Sequence, residues 1–329
     1  MTRKGFIAII VLLLGCVALT PVAAFAADTG TVSAQFTVGQ PPVVNSVSLT
    51  PTAMTPQTSY SVAVNITDSD HLSDLAQVVF KVWYDANGGA PLQAEFDSAT
   101  ANTQTCAVIT WTPGGSFVMT PSSSTSWILG SSVAHSPLTD TTGTFTFIFS
   151  PGKVATETAG SSDKWQLAAK ATDTQSGTGW NCDGEGSTMN WYGQITVPTS
   201  ASVNFGTLLA GTDYSATQRA VTGTFTYVAN GAYAETVKTS ATWSGVTHTA
   251  TLDTNGDCTS AQQFALKADD STVVGSGAVV NTVGATIDTG ALTAEAGVNE
   301  TAMNLWMKLA SGFDPDLYSG TITYSIVNN

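Results

Sequence analysis

Apolar and polar residues alternate with a period of two over short stretches along most of the chain. The pattern covers residues 43–49, 60–66, 78–84, 106–111, 144–149, 165–172 and 194–197. A period of two sends successive side chains to opposite faces, the signature of a half-buried β-strand. Clusters of Gly, Pro, Asn and Asp separate the stretches, as turns require. After Pro198-Thr199-Ser200 a second set begins, at residues 202–205, 221–228, 235–243, 263–268, 302–309 and 320–327. A helical period is absent over any useful length, apart from a turn or two near residues 72–75. The pattern predicts an all-β protein of two tandem antiparallel β-sandwiches, at residues 43–198 and 199–329.

The N-terminus follows a different rule. Arg3 and Lys4 precede an apolar run at residues 6–19, then Pro21, then Ala24-Phe25-Ala26. A charged start, an apolar middle and an Ala-x-Ala end predict a secretory signal helix at residues 1–27. Two rival readings use the same residues. Leu13-Leu14-Gly15-Cys16 approaches a lipoprotein processing site, but Leu14 is bulky and the residues after Cys16 are apolar. Lys4-Gly5-Phe6 resembles a prepilin cleavage site, but no Glu lies early in the stem and Pro21 would break it. All three place the remaining chain outside the cytoplasm, at the cell surface or beyond it.

Residues 28–42 read as an extension and linker. Val32, Ala34, Phe36 and Val38 share one face of an alternating segment, and Gly39-Gln40-Pro41-Pro42 detaches it from the first sandwich. Such a strand docks either on its own chain or on a neighbour, completing the neighbour's sheet as a donor strand.

Charge narrows the partners. Removing Arg3 and Lys4 from the 10 basic residues leaves 8 against 24 acidic ones, a net charge of about −16. That surface repels nucleic acid and anionic lipid. No apolar stretch after Phe25 is long enough to span a membrane. Only 10% of residues are charged, and Thr, Ser, Ala, Val and Gly fill the difference, as in β-rich extracellular proteins.

Three segments carry a resemblance. Thr67-Asp68-Ser69-Asp70-His71-Leu72-Ser73-Asp74-Leu75, followed by a Val-rich strand, resembles the B–C corner of immunoglobulin-like and fibronectin-type modules. Trp165-Gln166-Leu167-Ala168-Ala169-Lys170-Ala171-Thr172-Asp173 resembles their late strand. Leu317-Tyr318-Ser319-Gly320-Thr321-Ile322-Thr323-Tyr324-Ser325-Ile326 is similar to the closing strand of many prokaryotic surface sandwiches. The resemblance covers about a tenth of the chain. It implies Ig-like domains of the kind found in surface-layer and filament proteins of archaea and bacteria. The antibody-type Cys–Trp–Cys order is not reproduced, because Trp111 follows Cys106 by only five residues.

Candidate chemistry is sparse. His71, His135 and His248 are scattered, and no His-x-x-x-His, Cys-x-x-Cys or Gly-x-Ser-x-Gly pattern occurs, so the reading is non-enzymatic. Asp68, Asp70 and Asp74 crowd one loop and offer hard oxygens suited to calcium. Asp253-Thr254-Asn255-Gly256-Asp257 spaces oxygens similarly, but Cys258 and Phe264 stand where a calcium loop needs Gly and Glu, and Asn255-Gly256 is equally a turn signal. Trp180, Trp191 and Tyr192 bracket an acidic, Gly-rich loop and suit either a sugar platform or a core. Cys106 and Cys182 fall in one predicted domain and form the candidate disulfide, leaving Cys258 free. Asn65-Ile66-Thr67 and Asn299-Glu300-Thr301 are glycosylation acceptors, with Asn299 expected in a loop. Together these residues predict a structural or adhesive cell-surface protein. Its partners would be other copies of itself, or cell-envelope proteins and glycans. A filament subunit and a glycan-binding module are the alternatives.

Overall fold

Strand Tyr60–Thr67 shows how the alternation becomes structure. Its odd-even pattern buries Tyr60, Val62, Val64 and Ile66 and leaves Ser61 and Ala63 exposed. It pairs antiparallel with Val43–Leu49 on one side and Thr142–Ser150 on the other. Strand Thr142–Ser150 contributes Phe145, Phe147 and Phe149 to the same face.

The computed structural model describes residues 33–35, 38–49, 52–122, 126–131, 133–160, 162–184, 186–300 and 303–329. A first unit ends at Val38; in it, Ser33, Ala34, Gln35 and Val38 are exposed and carry no strand. Val32 and Phe36 of the expected assembly strand lie outside the described residues, as does the expected signal segment. The remainder, Gly39–Asn329, is a second unit.

This second unit is built of tandem β-sandwiches. In the first sandwich, the sheet just described faces one ordered Thr178–Cys182, Lys164–Asp173, Leu75–Asp85, Cys106–Trp111, Val118–Thr120. Strand Leu75–Asp85 lies at its centre and pairs with both neighbours along most of its length. Between the sheets, Phe80 stacks on Phe147 at 5.1 Å, and Trp111 meets Phe145 edge-on at 4.9 Å. Trp127 and Trp165 close one end, 5.5 Å apart.

The sequence hid one short helix, Gln93–Ser98. The Glu95 side chain accepts from the Leu92 amide at the start. Lys81 reaches across the sheet to donate to the Phe96 and Ala99 carbonyls, at 2.6 and 2.8 Å. A cation at these final carbonyls satisfies groups a helix leaves unpaired. The expected turn near residue 72 is a single 3-10 turn, Leu72–Asp74.

The second sandwich has three sheets. Gly193–Thr196, Phe225–Ala229 and Val298–Glu300 form one; Tyr233–Thr239 pairs with Ala285–Gly290 and Ile322–Asn328 in another. The largest runs from Arg219–Ala220 through Asn304–Leu309, Gln263–Asp269 and Thr249–Leu252 to Thr242–Ser244. Among the described strands, two pairings are parallel, Thr188–Met189 on Ala53–Met54 and Thr249–Leu252 on Gln263–Asp269.

Two expected strands behave differently. Residues 202–205 form none; Ser202 is tied instead to Thr222 by paired backbone and hydroxyl bonds. Gly193–Thr196, read as the last strand of the first sandwich, hydrogen-bonds along Phe225–Ala229 of the second. Alternation reveals that a strand exists but carries no information about its partner.

Between the sandwiches lies Asn230, which is fully buried. Its Nδ2 donates to the Ala155 and Asn190 carbonyls at 2.8 and 2.9 Å, and its Oδ1 accepts from the Tyr192 amide at 2.6 Å. Its own carbonyl accepts from the Glu157 amide at 2.9 Å. One side chain from the second sandwich thus satisfies three backbone groups of residues 155–192, on the side of the first, where water cannot.

Truncating a core ring measures the contribution of the inter-sheet contact. Phe147→Ala should lower unfolding free energy by about 3–5 kcal/mol. Val43→Ala, at an exposed position, should change it by less than about 0.5 kcal/mol. Denaturant melts of both variants test the difference, and comparable losses would contradict this register.

Candidate functional site

The acidic corner of the first sandwich gathers three of the carboxylates expected from sequence and one that sequence missed. Asp68 directly follows strand Tyr60–Thr67 and is only 1% exposed. Its Oδ1 accepts from the Asp70 amide at 3.0 Å, while its Oδ2 is buried and takes no donor. Asp70 Oδ2 accepts from the Gln40 amide at 3.1 Å. Asp74 Oδ1 accepts from the Thr174 hydroxyl and, at 3.4 Å, from Gln175 Nε2. The fourth is Asp173, buried at the end of Lys164–Asp173, with Oδ1 accepting from the Gln175 and Gly177 amides at 2.9 and 2.7 Å. Burial raises the Asp68 carboxyl above its ordinary range, and the charges of Asp74, Asp70 and Asp173 raise it further. Among the described residues no group of three or more His, Cys, Asp or Glu is arranged to hold a metal ion as it stands.

The second acidic loop is satisfied from within. Asp253 Oδ1 accepts from Asn255, and Oδ2 from Asp257 and Cys258, at 2.6–3.0 Å. These amide bonds hold its carboxyl below the usual range. Asp316 is engaged in the same way by Thr247, His248 and Leu317. Such loops use Asp for backbone reasons.

The three aromatic candidates do not share a packing group. Trp180, on Thr178–Cys182, packs with the cluster of Trp83, Phe96, Cys106 and Ala168. Trp191 donates to the Ala232 carbonyl at 2.9 Å, beside the Asn230 junction. The Tyr192 hydroxyl donates to Gln194 at 3.2 Å, and its amide is held by Asn230. All three are half-buried.

The candidate disulfide is a correction. Cys106, Cys182 and Cys258 are free thiols. Cys182 pairs across to Ala168, Ala168 to Lys81, and Lys81 to Val108, two residues beyond Cys106. Three strand spacings of about 4.8 Å separate the two cysteines, well beyond the roughly 7 Å Cα limit of a disulfide. Burial pushes the Cys106 thiol up to about 11, and does the same for Cys258.

Of the two acceptor asparagines, Asn65 lies within a strand. Its Nδ2 donates to the Gly143 carbonyl at 3.3 Å, and its Oδ1 accepts from Asn45 at 2.7 Å. Asn299 is exposed on the short strand Val298–Glu300 rather than in a loop, and accepts from the Thr226 hydroxyl.

Sequence reasoning missed a buried carboxyl inside the second sandwich. Glu235 is 4% exposed, and its Oε2 takes no donor. Burial pushes it up to about 7; Tyr227 hydrogen bonding opposes this, and Asp288, Glu300 and Asp270 add to it. A cleft of about 430 Å3 lies elsewhere, lined by residues including Trp83, Asp85, Glu95, Thr105 and Cys106. Glu235 does not line it.

No protein-family model matches the sequence, and neither does any curated protein. Among solved structures the chain is similar to a variant of BcpA, the major pilin subunit of Bacillus cereus. Identity is 11%, coverage is 86% of this chain and 67% of that one, and the TM-score is 0.22. A likeness this slight carries no weight for function. Among the described residues, no helix is long and apolar enough to cross a membrane.

Thiol counting checks the strand order. The chain from residue 28 onward, denatured without reductant, should label at all three of its cysteines, and natively Cys182 should react first. A single labelled thiol would restore the disulfide.

Glu235 sets a pH dependence. Its folded value lies above the ordinary 4.5, so the folded state holds a proton that the unfolded state has released. Stability is therefore full below about pH 4.5 and falls as pH rises through about 7, by roughly 2 kcal/mol after solvent screening. Glu235→Gln should melt higher than wild type at pH 8 and match it near pH 4.5. A wild-type advantage at pH 8 would contradict this.

Proposed function

We propose that this protein is an exported, non-enzymatic structural component of the cell surface, with tandem sandwiches that act as one stiff building block. The observation that supports it best is the Asn230 junction. Its four short hydrogen bonds join the sandwiches where a linker would otherwise flex. The disposition of chemistry agrees. Many of the Trp and Phe rings fill cores, and the loop carboxylates of Asp253 and Asp316 are occupied by backbone amides. The export-type N-terminus supports the address, and a strong negative charge supports solubility outside the cell.

A filament is the finer form of this reading. It rests on the alternating segment Val32, Ala34, Phe36 and Val38. Val38 is 70% exposed in the chain by itself. Burying such side chains on a neighbour returns roughly 1.5–3 kcal/mol each. Head-to-tail docking of one copy on the next is heterologous and propagates.

Sedimentation and electron microscopy of the mature protein test the reading. Concentrated wild type should form polymers or arrays, and Phe36→Asp should leave folded protomers. A wild type that stays monomeric at every concentration would remove self-driven assembly. Specific retention on a glycan array would replace the structural reading with a binding one.

A further inference from the structure

We propose that Asn230-Gly231, at the junction of the sandwiches, is a latent deamidation site that makes opening of the junction a one-way event. The chain holds three Asn-Gly pairs: Asn87-Gly88, Asn230-Gly231 and Asn255-Gly256. In such a pair no glycine side chain shields the backbone nitrogen from the asparagine carboxamide. The glycine nitrogen attacks Cγ, the Cγ–Nδ2 bond breaks, and ammonia leaves. Water then opens the succinimide ring. Cleavage at Cγ gives aspartate; cleavage at the main-chain carbonyl gives isoaspartate, in which the backbone runs through Cβ. The net change is one water taken up and one ammonia released.

The junction geometry requires this labile pair. Asn230 is fully buried, and each of its polar atoms is engaged. Its amide donates to the Tyr192 carbonyl at 3.1 Å, and its carbonyl accepts from Glu157. Nδ2 donates to the Ala155 and Asn190 carbonyls, and Oδ1 accepts from the Tyr192 amide. A carboxylate of the same shape could not donate. Glycine follows because a Cβ at position 231 would overlap Glu157 Oε2. Glu157 is itself held on Oε1 by Asn328 Nδ2 at 3.3 Å.

The same bonds suppress the reaction while the fold is closed. For Gly231 N to reach Cγ, the Asn230 carbonyl and carboxamide must both turn from their present directions. Both are pinned, in a place water does not reach. Asn87 and Asn255 are exposed in turns. Opening of the junction releases Asn230 to react. The product then carries a carboxylate that accepts but cannot donate, so the Ala155 and Asn190 carbonyls lose their donors. Reclosing would bury a charge among acceptors, beside Glu157, and each of these is costly. An isoaspartate adds a backbone atom as well. This chemistry operates whether or not copies assemble.

The test ages the protein, as purified from its host, at mildly alkaline pH, both folded and in concentrated urea. Peptide mapping by mass spectrometry follows amide loss at each Asn. Folding should slow loss at Asn230 by at least about 100-fold, because reaction waits on a rare opening. The slowing at Asn87 and Asn255 should be at least about tenfold smaller. Amide loss at Asn230 that is as fast folded as in urea, or slowed no more than at Asn255, overturns the proposal. Hydrogen exchange of the Tyr192 and Glu157 amides, which both donate to Asn230, reads the junction directly. In Asn230→Asp these amides should exchange at least about tenfold faster than in wild type, and in Asn255→Asp they should not change. Wild-type protection in Asn230→Asp would show that the modified junction recloses, and would equally overturn the proposal. Should Asn230→Asp fail to fold, the ageing comparison in wild type still decides.

Discussion

The contact of Phe80 with Phe147 and Phe149, two of the row Phe145, Phe147 and Phe149, governs the first sandwich. Phe80 stacks on Phe147 and tilts against Phe149 at 5.9 Å. The rings sit on strands from opposite sheets, so their contact fixes sheet separation and register together. A one-residue slip of Thr142–Ser150 would turn all three phenylalanines to solvent. Pairing with Tyr60–Thr67, and through it with Val43–Leu49, follows from that constraint.

Much of this was legible in the sequence, because a period of two is a direct consequence of strand geometry. Cys106–Trp111 and Gln263–Asp269 lie nearly where alternation places them. The errors concern partnership. Cys106 and Cys182 share a sheet but lie three strands apart, and strand order is a property of topology rather than spacing. Residues 202–205 alternate without pairing. Gln93–Ser98 is too short for a helical period, and it depends on Lys81 and the buried Phe96, both of which sequence places as ordinary residues.

The candidate sites follow the same division. Asp68, Asp70 and Asp74 are close in sequence, so their crowding was visible; Asp173 joins only through the sheet. Asn230 and Glu235 looked unremarkable because nothing local marks a side chain as buried. Each gains its meaning from distant segments: Ala155 and Asn190 for the first, Tyr227 and Asp288 for the second.

Strand Gly193–Thr196 has one more consequence. The composition break at Pro198 is a covalent boundary, yet the sheet of the second sandwich begins before it. During synthesis this strand emerges attached to the first sandwich, about 30 residues ahead of its partner Phe225–Ala229. The first sandwich therefore presents a waiting edge on which the second can nucleate. The same overlap forbids a clean division: a cut at Pro198 would leave one fragment with an unmatched strand and the other with an open sheet. The two sandwiches are separate in architecture and linked in stability.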